Sequence, residues 1–375
     1  MGTRRNMDVR LGAIWALLGT LFAIMACARA NQLTDADEMR LAPDIYNEGP
    51  LTVDLFSVSS DALSGYKHRR SSKEAYAALK LAEDPPRPLL IAAPKTAGSY
   101  PVILFQHGYT MKNTFYSQML KHIASHGFIV VAPQMYIFAG ADATGEIISA
   151  GSVLDWFSVG LQDAISQRVP SVKADLKRAA VVGHSRGGKV VFGIATGVCN
   201  TSLKISALVG IDPVDGTGVG HQTKPPILQY SPHSLDLKIP TLIIGAGLGS
   251  VGRFLFPACA PKGVNHEAFF SDSASPAFHF VAPDYGHMDY LDDVCPGAQG
   301  WIAACLCKNG QAREPMRRFS AGIVVAFLQA ALLQDSSQLA TAILEPSLAP
   351  VKLETPGVFG TLADVTSYSR DSVTM

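Results

Sequence analysis

Ser185 lies in Gly183-His184-Ser185-Arg186-Gly187, a G-x-S-x-G pattern, and its flanks give the pattern meaning. The apolar run over residues 179–182 leads into it, and a helix-compatible stretch from Lys189 to Thr196 follows. Strand, sharp turn and helix form the setting in which a serine backbone is strained and its Oγ stands above the carboxyl edge of a sheet. Gly183 and Gly187 suit a place where strand and helix pass too closely for a Cβ. The chemistry expected of Ser185 is nucleophilic attack on an ester carbonyl.

A serine needs a base to take its proton, and the base needs an orienting carboxylate. Behind such a turn the partners follow in the order serine, acid, histidine. His287, in Asp284-Tyr285-Gly286-His287-Met288-Asp289, comes just after the last predicted strand, where the base belongs. His279 falls inside that strand and His266 in an irregular segment before it. The penultimate strand ends in Gly245-Ala246-Gly247-Leu248-Gly249-Ser250, which offers no carboxylate. One strand earlier, Gly210-Ile211-Asp212-Pro213-Val214-Asp215-Gly216 offers two. Asp212, at the strand's carboxyl end, is the favoured acid, and Asp215 is the alternative; either could instead close an Asx turn.

An oxyanion needs two convergent donors. The backbone N–H of Arg186, directly after the serine, supplies one. That of Tyr109, in His107-Gly108-Tyr109 after the third strand, supplies the other. The side chains of His107 and His184 are expected to brace the turn rather than react. Asp284, Asp289, Asp292 and Asp293 cluster near His287. They read as a solvated loop in preference to a calcium site.

These residues require a sheet whose carboxyl edge gathers them. Candidate strands fall at 51–58, 87–93, 100–106, 128–132, 179–182, 207–211, 241–245 and 277–281. Helical stretches fall at 114–126, 146–159 and 315–333. The alternation predicts an α/β fold, a mostly parallel central sheet with helices on both faces. Residues 59–86 and 213–238 read as surface excursions. The domain organisation expected is a targeting segment over 1–30, a catalytic domain over 31–335 and a loose tail over 336–375.

Apolar side chains make up 48% of the 375 residues and charged ones 17%, a composition that buries a core. Basic and acidic residues number 31 each, so no global field exists to draw nucleic acid. Arg4, Arg5 and Arg10 precede an apolar run over 11–26 and then Ala28-Arg29-Ala30. That pattern predicts a cleaved secretory signal, with an uncleaved anchor as the alternative. Cys199, Cys259, Cys295, Cys305 and Cys307 would remain, and an oxidising lumen would allow one or two bridges within 259–307. Asn200-Thr201-Ser202 is then a glycosylation sequon.

Several stretches together resemble the plant chlorophyllases. They are Phe115-Tyr116-Ser117-Gln118, Ser125-His126-Gly127-Phe128 and Ala132-Pro133-Gln134, then the serine motif through Lys189 and the Asp212 segment. Cys259-Ala260-Pro261, Gly263-Val264-Asn265-His266, Asp284-Tyr285-Gly286-His287 and Cys305-Leu306-Cys307-Lys308-Asn309-Gly310 extend the resemblance over roughly residues 45 to 355. It implies an α/β-hydrolase that cleaves the phytyl ester of chlorophyll through Ser185, Asp212 and His287, without cofactor or metal. Its partner is a hydrophobic small-molecule ester, with peripheral membrane association expected. The amino-terminal signal departs from relatives with transit-like leaders, so an endomembrane location is expected and the chloroplast is the alternative. A general secreted carboxylesterase or lipase, and a non-catalytic binding protein on the same fold, are the competing readings.

Overall fold

Short runs of Val, Ile, Leu and Ala, bounded by Gly and Pro, form strands buried on both faces; such strands read as continuous apolar runs because helices cover each side. The computed structural model describes residues 44–60 and 84–373. The expected leader, and most of the 59–86 excursion, lie outside the described residues. Nine strands form one sheet: β1 Val53–Val58, β2 Leu89–Pro94, β3 Gly98–Gln106, β4 Ile129–Pro133, β5 Val172–His184, β6 Ala207–Ile211, β7 Thr241–Ala246, β8 Ala277–Ala282 and β9 Gly357–Phe359. Their order is β1-β2-β4-β3-β5-β6-β7-β8-β9. The strands from β4 to β8 in that order run parallel, and β1, β2 and β9 join antiparallel.

The helices are α1 Ser117–Ser125, α2 Thr144–Trp156, α3 Arg186–Ala195, α4 His266–Asp272, α5 Ala298–Leu306, α6 Arg313–Leu333, α7 Ser337–Leu344 and α8 Leu362–Val373. A π turn over Phe157–Leu161 and a short helix, Gln162–Ser166, continue α2. Two apolar cores result. Met119, Leu120 and Ile123 of α1 and Ile323, Val324 and Phe327 of α6 cover one sheet face. Ile147 and Leu154 of α2, Val191 and Phe192 of α3 and Phe269 of α4 cover the other. This is the α/β-hydrolase arrangement. It places the loops after β3, β4, β5, β6, β7 and β8 along one carboxyl edge, where open parallel sheets bind ligands.

Three expectations change. The segment after residue 335 is not loose: α7 and α8 are helical, and β9 pairs with β8 through Ala277 opposite Phe359. Val365 of α8 is buried in the α1/α6 core, and the Phe359 ring stacks on Phe270 at 4.2 Å. β9 has only three residues and α7 only eight, so little in the sequence marked them. Second, β5 begins at Val172, seven residues before the apolar run, because its charged first half pairs with β3 at the sheet margin. Third, His266 starts a helix rather than lying in an irregular segment.

Candidate active site

The turn between β5 and α3 is as tight as the G-x-S-x-G pattern demands. Ser185 has φ 57° and ψ −123°, left-handed backbone that a side-chain-bearing residue adopts only at a cost. A Cβ on Gly183 would lie 2.1 Å from the carbonyl oxygen of Gly187, and one on Gly187 would lie 2.3 Å from that of Gln106. Glycine is therefore obligatory at both positions. The strain is held by backbone hydrogen bonds: the Ser185 N–H donates to Ile211, while the Ser185 carbonyl accepts from Lys189 and Val214.

Ser185, Asp212 and His287 come together from the ends of β5, β6 and the loop after β8. His287 Nε2 is 2.7 Å from Ser185 Oγ, and His287 Nδ1 is 2.6 Å from Asp212 Oδ2. All three side chains are buried. Asp212 also has positive φ, 42°, a turn that aims its carboxylate across the edge toward His287. Burial pushes the Asp212 carboxyl up. The His287 hydrogen bond and the surrounding imidazoles outweigh that and hold it below the usual carboxylate range.

Asp215 faces the other way. It forms an ion pair with Lys189 of α3 at 2.8 Å, and neither side chain has any solvent exposure. Its second oxygen accepts the N–H groups of Ile227 and Leu228, each at 2.9 Å, and the Gln222 amide. The same lysine holds Thr223. Asp215 thus pins the 213–238 excursion to α3.

The remaining expected residues surround Ser185. Arg186 is the first residue of α3, so its N–H belongs to the unsatisfied first turn of a helix. Its guanidinium pairs with Glu146, bonds the carbonyls of Ala141 and Asp142, and lies 5.3 Å above the Tyr109 ring. The Tyr109 turn approaches closely, since a Cβ on the neighbouring Gly108 would sit 3.2 Å from Ser185 Cβ. His107 braces the wall after β4 by accepting the Met135 N–H at its Nε2, 3.0 Å away. Burial lowers it to about 4.

Behind Asp212 stands a pair that sequence reasoning did not connect to the site. His266 lies 4.0 Å from Asp212 Oδ1, and its Nδ1 is 2.9 Å from His279 Nε2. The spacing of thirteen residues across a helix and a strand gave no signal of that meeting. The acidic cluster is solvated only in part: Asp284 and Asp293 are exposed, whereas Asp289 and Asp292 are buried. Asp289 accepts the N–H groups of Gly286 and Gly310, Asp292 accepts that of Gln118, and Asp293 pairs with Arg317. Asp292 thus ties the His287 loop to α1, Asp293 ties it to α6, and Asp289 ties it to the segment before α6. Cys259 and Cys307 form a disulfide, one bridge within the region expected to hold one or two.

The Chlorophyllase family model matches residues 42–358. Chlorophyllase-2 of Arabidopsis thaliana is 52% identical over 259 residues, covering 68% of this chain and 80% of that protein. Chlorophyllase-1 of Arabidopsis thaliana is 46% identical over 274 residues, 72% of this chain and 84% of the relative. A third relative, from Citrus sinensis and named Chlorophyllase-1, chloroplastic, is 43% identical, covering 72% of this chain and 80% of its own length. With the match spanning nearly all of the described fold, this chain is a carboxylic ester hydrolase and belongs to the chlorophyllase family.

Proposed function

We propose that the protein hydrolyses the phytyl ester of chlorophyll to chlorophyllide and phytol by acyl transfer through Ser185, His287 and Asp212. The observation that carries this reading is His287, whose two ring nitrogens sit 2.7 Å from Ser185 Oγ and 2.6 Å from Asp212. His287 Nε2 takes the Ser185 proton as Oγ attacks the propionate carbonyl. The developing oxyanion rests on the N–H groups of Tyr109 and Arg186. His287, now charged and held by Asp212, gives the proton to the departing phytol alkoxide. Water then attacks the acyl-enzyme under the same base, and chlorophyllide leaves. The experiment is incubation of purified protein with chlorophyll and identification of the products. Chlorophyllide and phytol from wild type, and neither from Ser185→Ala, is the expected result.

A second reading, a broader carboxylesterase, has one observation in its favour. Cutinase est1 of Thermobifida alba is 26% identical over 183 residues, 48% of this chain. Comparing turnover of chlorophyll with that of short aryl esters separates the two. Faster turnover of the aryl esters would favour the broader enzyme.

Location has two readings, each with its own support. The Citrus relatives named chloroplastic support a plastid address. Arg4, Arg5, Arg10 and the apolar run after them support export, and the Cys259–Cys307 disulfide suits an oxidising compartment. Asn200 is exposed, as a glycan acceptor must be. N-terminal sequencing of protein from its native cells, with its mass before and after deglycosylation, decides. An unglycosylated mature chain from purified plastids would remove the export reading.

A further inference from the structure

The loop after β7 carries the most exposed large apolar side chains among the described residues: Phe254 is 102% exposed and Leu255 97%. They occupy the tip of a tight turn closed by Arg253 and Phe256, which exchange backbone hydrogen bonds of 3.0 and 2.9 Å. Phe254 itself has φ 54°, left-handed backbone at an aromatic residue. Turn tips ordinarily carry Gly, Asn, Asp or Ser. Here Phe254-Leu255-Phe256-Pro257 points into solvent.

The base of this loop is fixed to the site. Leu248 donates its N–H to Tyr285, Ala260 donates to Gly249, and the Cys259–Cys307 disulfide adds a covalent tie. Gly249 packs so closely that a Cβ there would lie 3.0 Å from Asp212 Oδ2. One flank of the turn is polar and basic: Arg253 shares a cleft with Lys308, Asn309 and Arg313, with Asp289 at its floor. Asp289 is buried there, and its Oδ2 accepts two backbone N–H groups.

We propose that the 253–257 turn docks the protein on a lipid surface, with Phe254 and Leu255 entering the acyl region and Arg253, Lys308 and Arg313 meeting anionic headgroups. A projecting apolar tip beside basic side chains is the pattern of interfacial segments. Protein partners fit less well. Each aromatic side chain offers roughly 200 Å², so the tip falls short of the ~800 Å² that each side of a stable protein interface contributes. A fluid acyl layer needs no complementary shape. This docking rests on the reading of the site as one for an apolar ester, which a lipid layer would then deliver to the wall beside Asp212.

The test uses the full mature chain, sedimented with phosphatidylcholine vesicles with and without phosphatidylglycerol. Wild type should partition onto the vesicles, more strongly with phosphatidylglycerol and less strongly in high salt. The double variant Phe254→Ser/Leu255→Ser should lose at least about tenfold in partitioning, as expected for removing two side chains of this size from an apolar phase. Leu344→Ser, which removes an exposed leucine from α7, should partition like wild type. All three proteins should cleave a short water-soluble ester at the same rate. Equal partitioning of wild type and the double variant, or no partitioning by wild type, overturns the proposal. So does a dimer of wild type that the double variant breaks without change in vesicle binding. No gain with phosphatidylglycerol overturns the role given to the basic side chains. If vesicle binding depends on the tip but chlorophyll is not hydrolysed, the docking stands and the substrate reading falls.

Discussion

His184 Nε2 lies 2.9 Å from the backbone carbonyl oxygen of His287. A carbonyl only accepts, so His184 carries its proton on Nε2 and its Nδ1 must accept. The Tyr116 hydroxyl, 2.7 Å from Nδ1, donates to it and in turn accepts the Gly108 N–H at 3.0 Å. Burial, with His287 alongside, lowers His184 to about 3, so it stays neutral and keeps both roles. One chain of hydrogen bonds thereby registers three loops: the Tyr109 turn, the Ser185 turn and the His287 loop.

Removing the middle of that chain should loosen the site without dismantling it. Tyr116→Phe leaves Gly108 N–H and His184 Nδ1 without their buried partner. The unsatisfied groups should cost about 1–3 kcal/mol of stability, and the loss of register should lower kcat. Steady-state kinetics should show the fall in kcat with KM little changed. An unaltered kcat would mean the three loops hold their register without it.

Ser185→Ala should abolish hydrolysis, by on the order of 10⁴-fold or more, and leave thermal unfolding close to wild type. The backbone bonds that hold the elbow do not use Oγ. Labelling by a fluorophosphonate should vanish in parallel. A variant that still turns over ester at near wild-type rate would dismiss Ser185 as nucleophile.

Asp212→Asn and Asp215→Asn should fail in different assays. The first removes the charge that stabilises the His287 imidazolium and should cost about 10⁴-fold in kcat. The second strands the buried Lys189 ammonium and should cost about 3–5 kcal/mol of stability, with little change in kcat per folded molecule. Thermal melts and active-site-normalised rates distinguish them. Equal losses of kcat would mean that Asp215 serves the reaction.

Stability should fall steadily as pH drops below neutrality. Burial lowers His107 and His122 to about 4 and His184 and His279 to about 3. Unfolded histidine titrates near 6.5, so below that value the unfolded chain binds more protons than the folded one. Stability is therefore full above about 6.5 and is lost as pH falls toward the folded values. The slope is about 1.4 kcal/mol per pH unit for each buried histidine. Urea midpoints at neutral pH and near pH 5 read this directly, and His122→Asn should flatten the slope. A midpoint that stays level between the two would show that these rings are protonated in the fold.

What the sequence disclosed follows from range. The strand cores and the elbow are local patterns, legible because apolar runs and glycine spacing act over a few residues. The order serine, acid, histidine pointed to His287 and favoured Asp212 over Asp215 as the acid. What Asp215 holds instead, Lys189, lies 26 positions away in the chain and is met only in the fold. The His266–His279 pair and the partner of Cys259 were hidden for the same reason. The first half of β5 failed differently: its charged residues look like a loop until β3 supplies their hydrogen bonds.

β9 is only three residues long, yet it occupies the outer edge of the sheet beside β8. An uncovered edge strand presents a row of free N–H and C=O groups that templates pairing with another chain. A protein cut after residue 335 would keep Ser185, Asp212 and His287 and still bare the flank of β8, the strand that leads into the His287 loop. Removal of the residues after 335 should therefore show first as aggregation and only secondarily as lost chemistry.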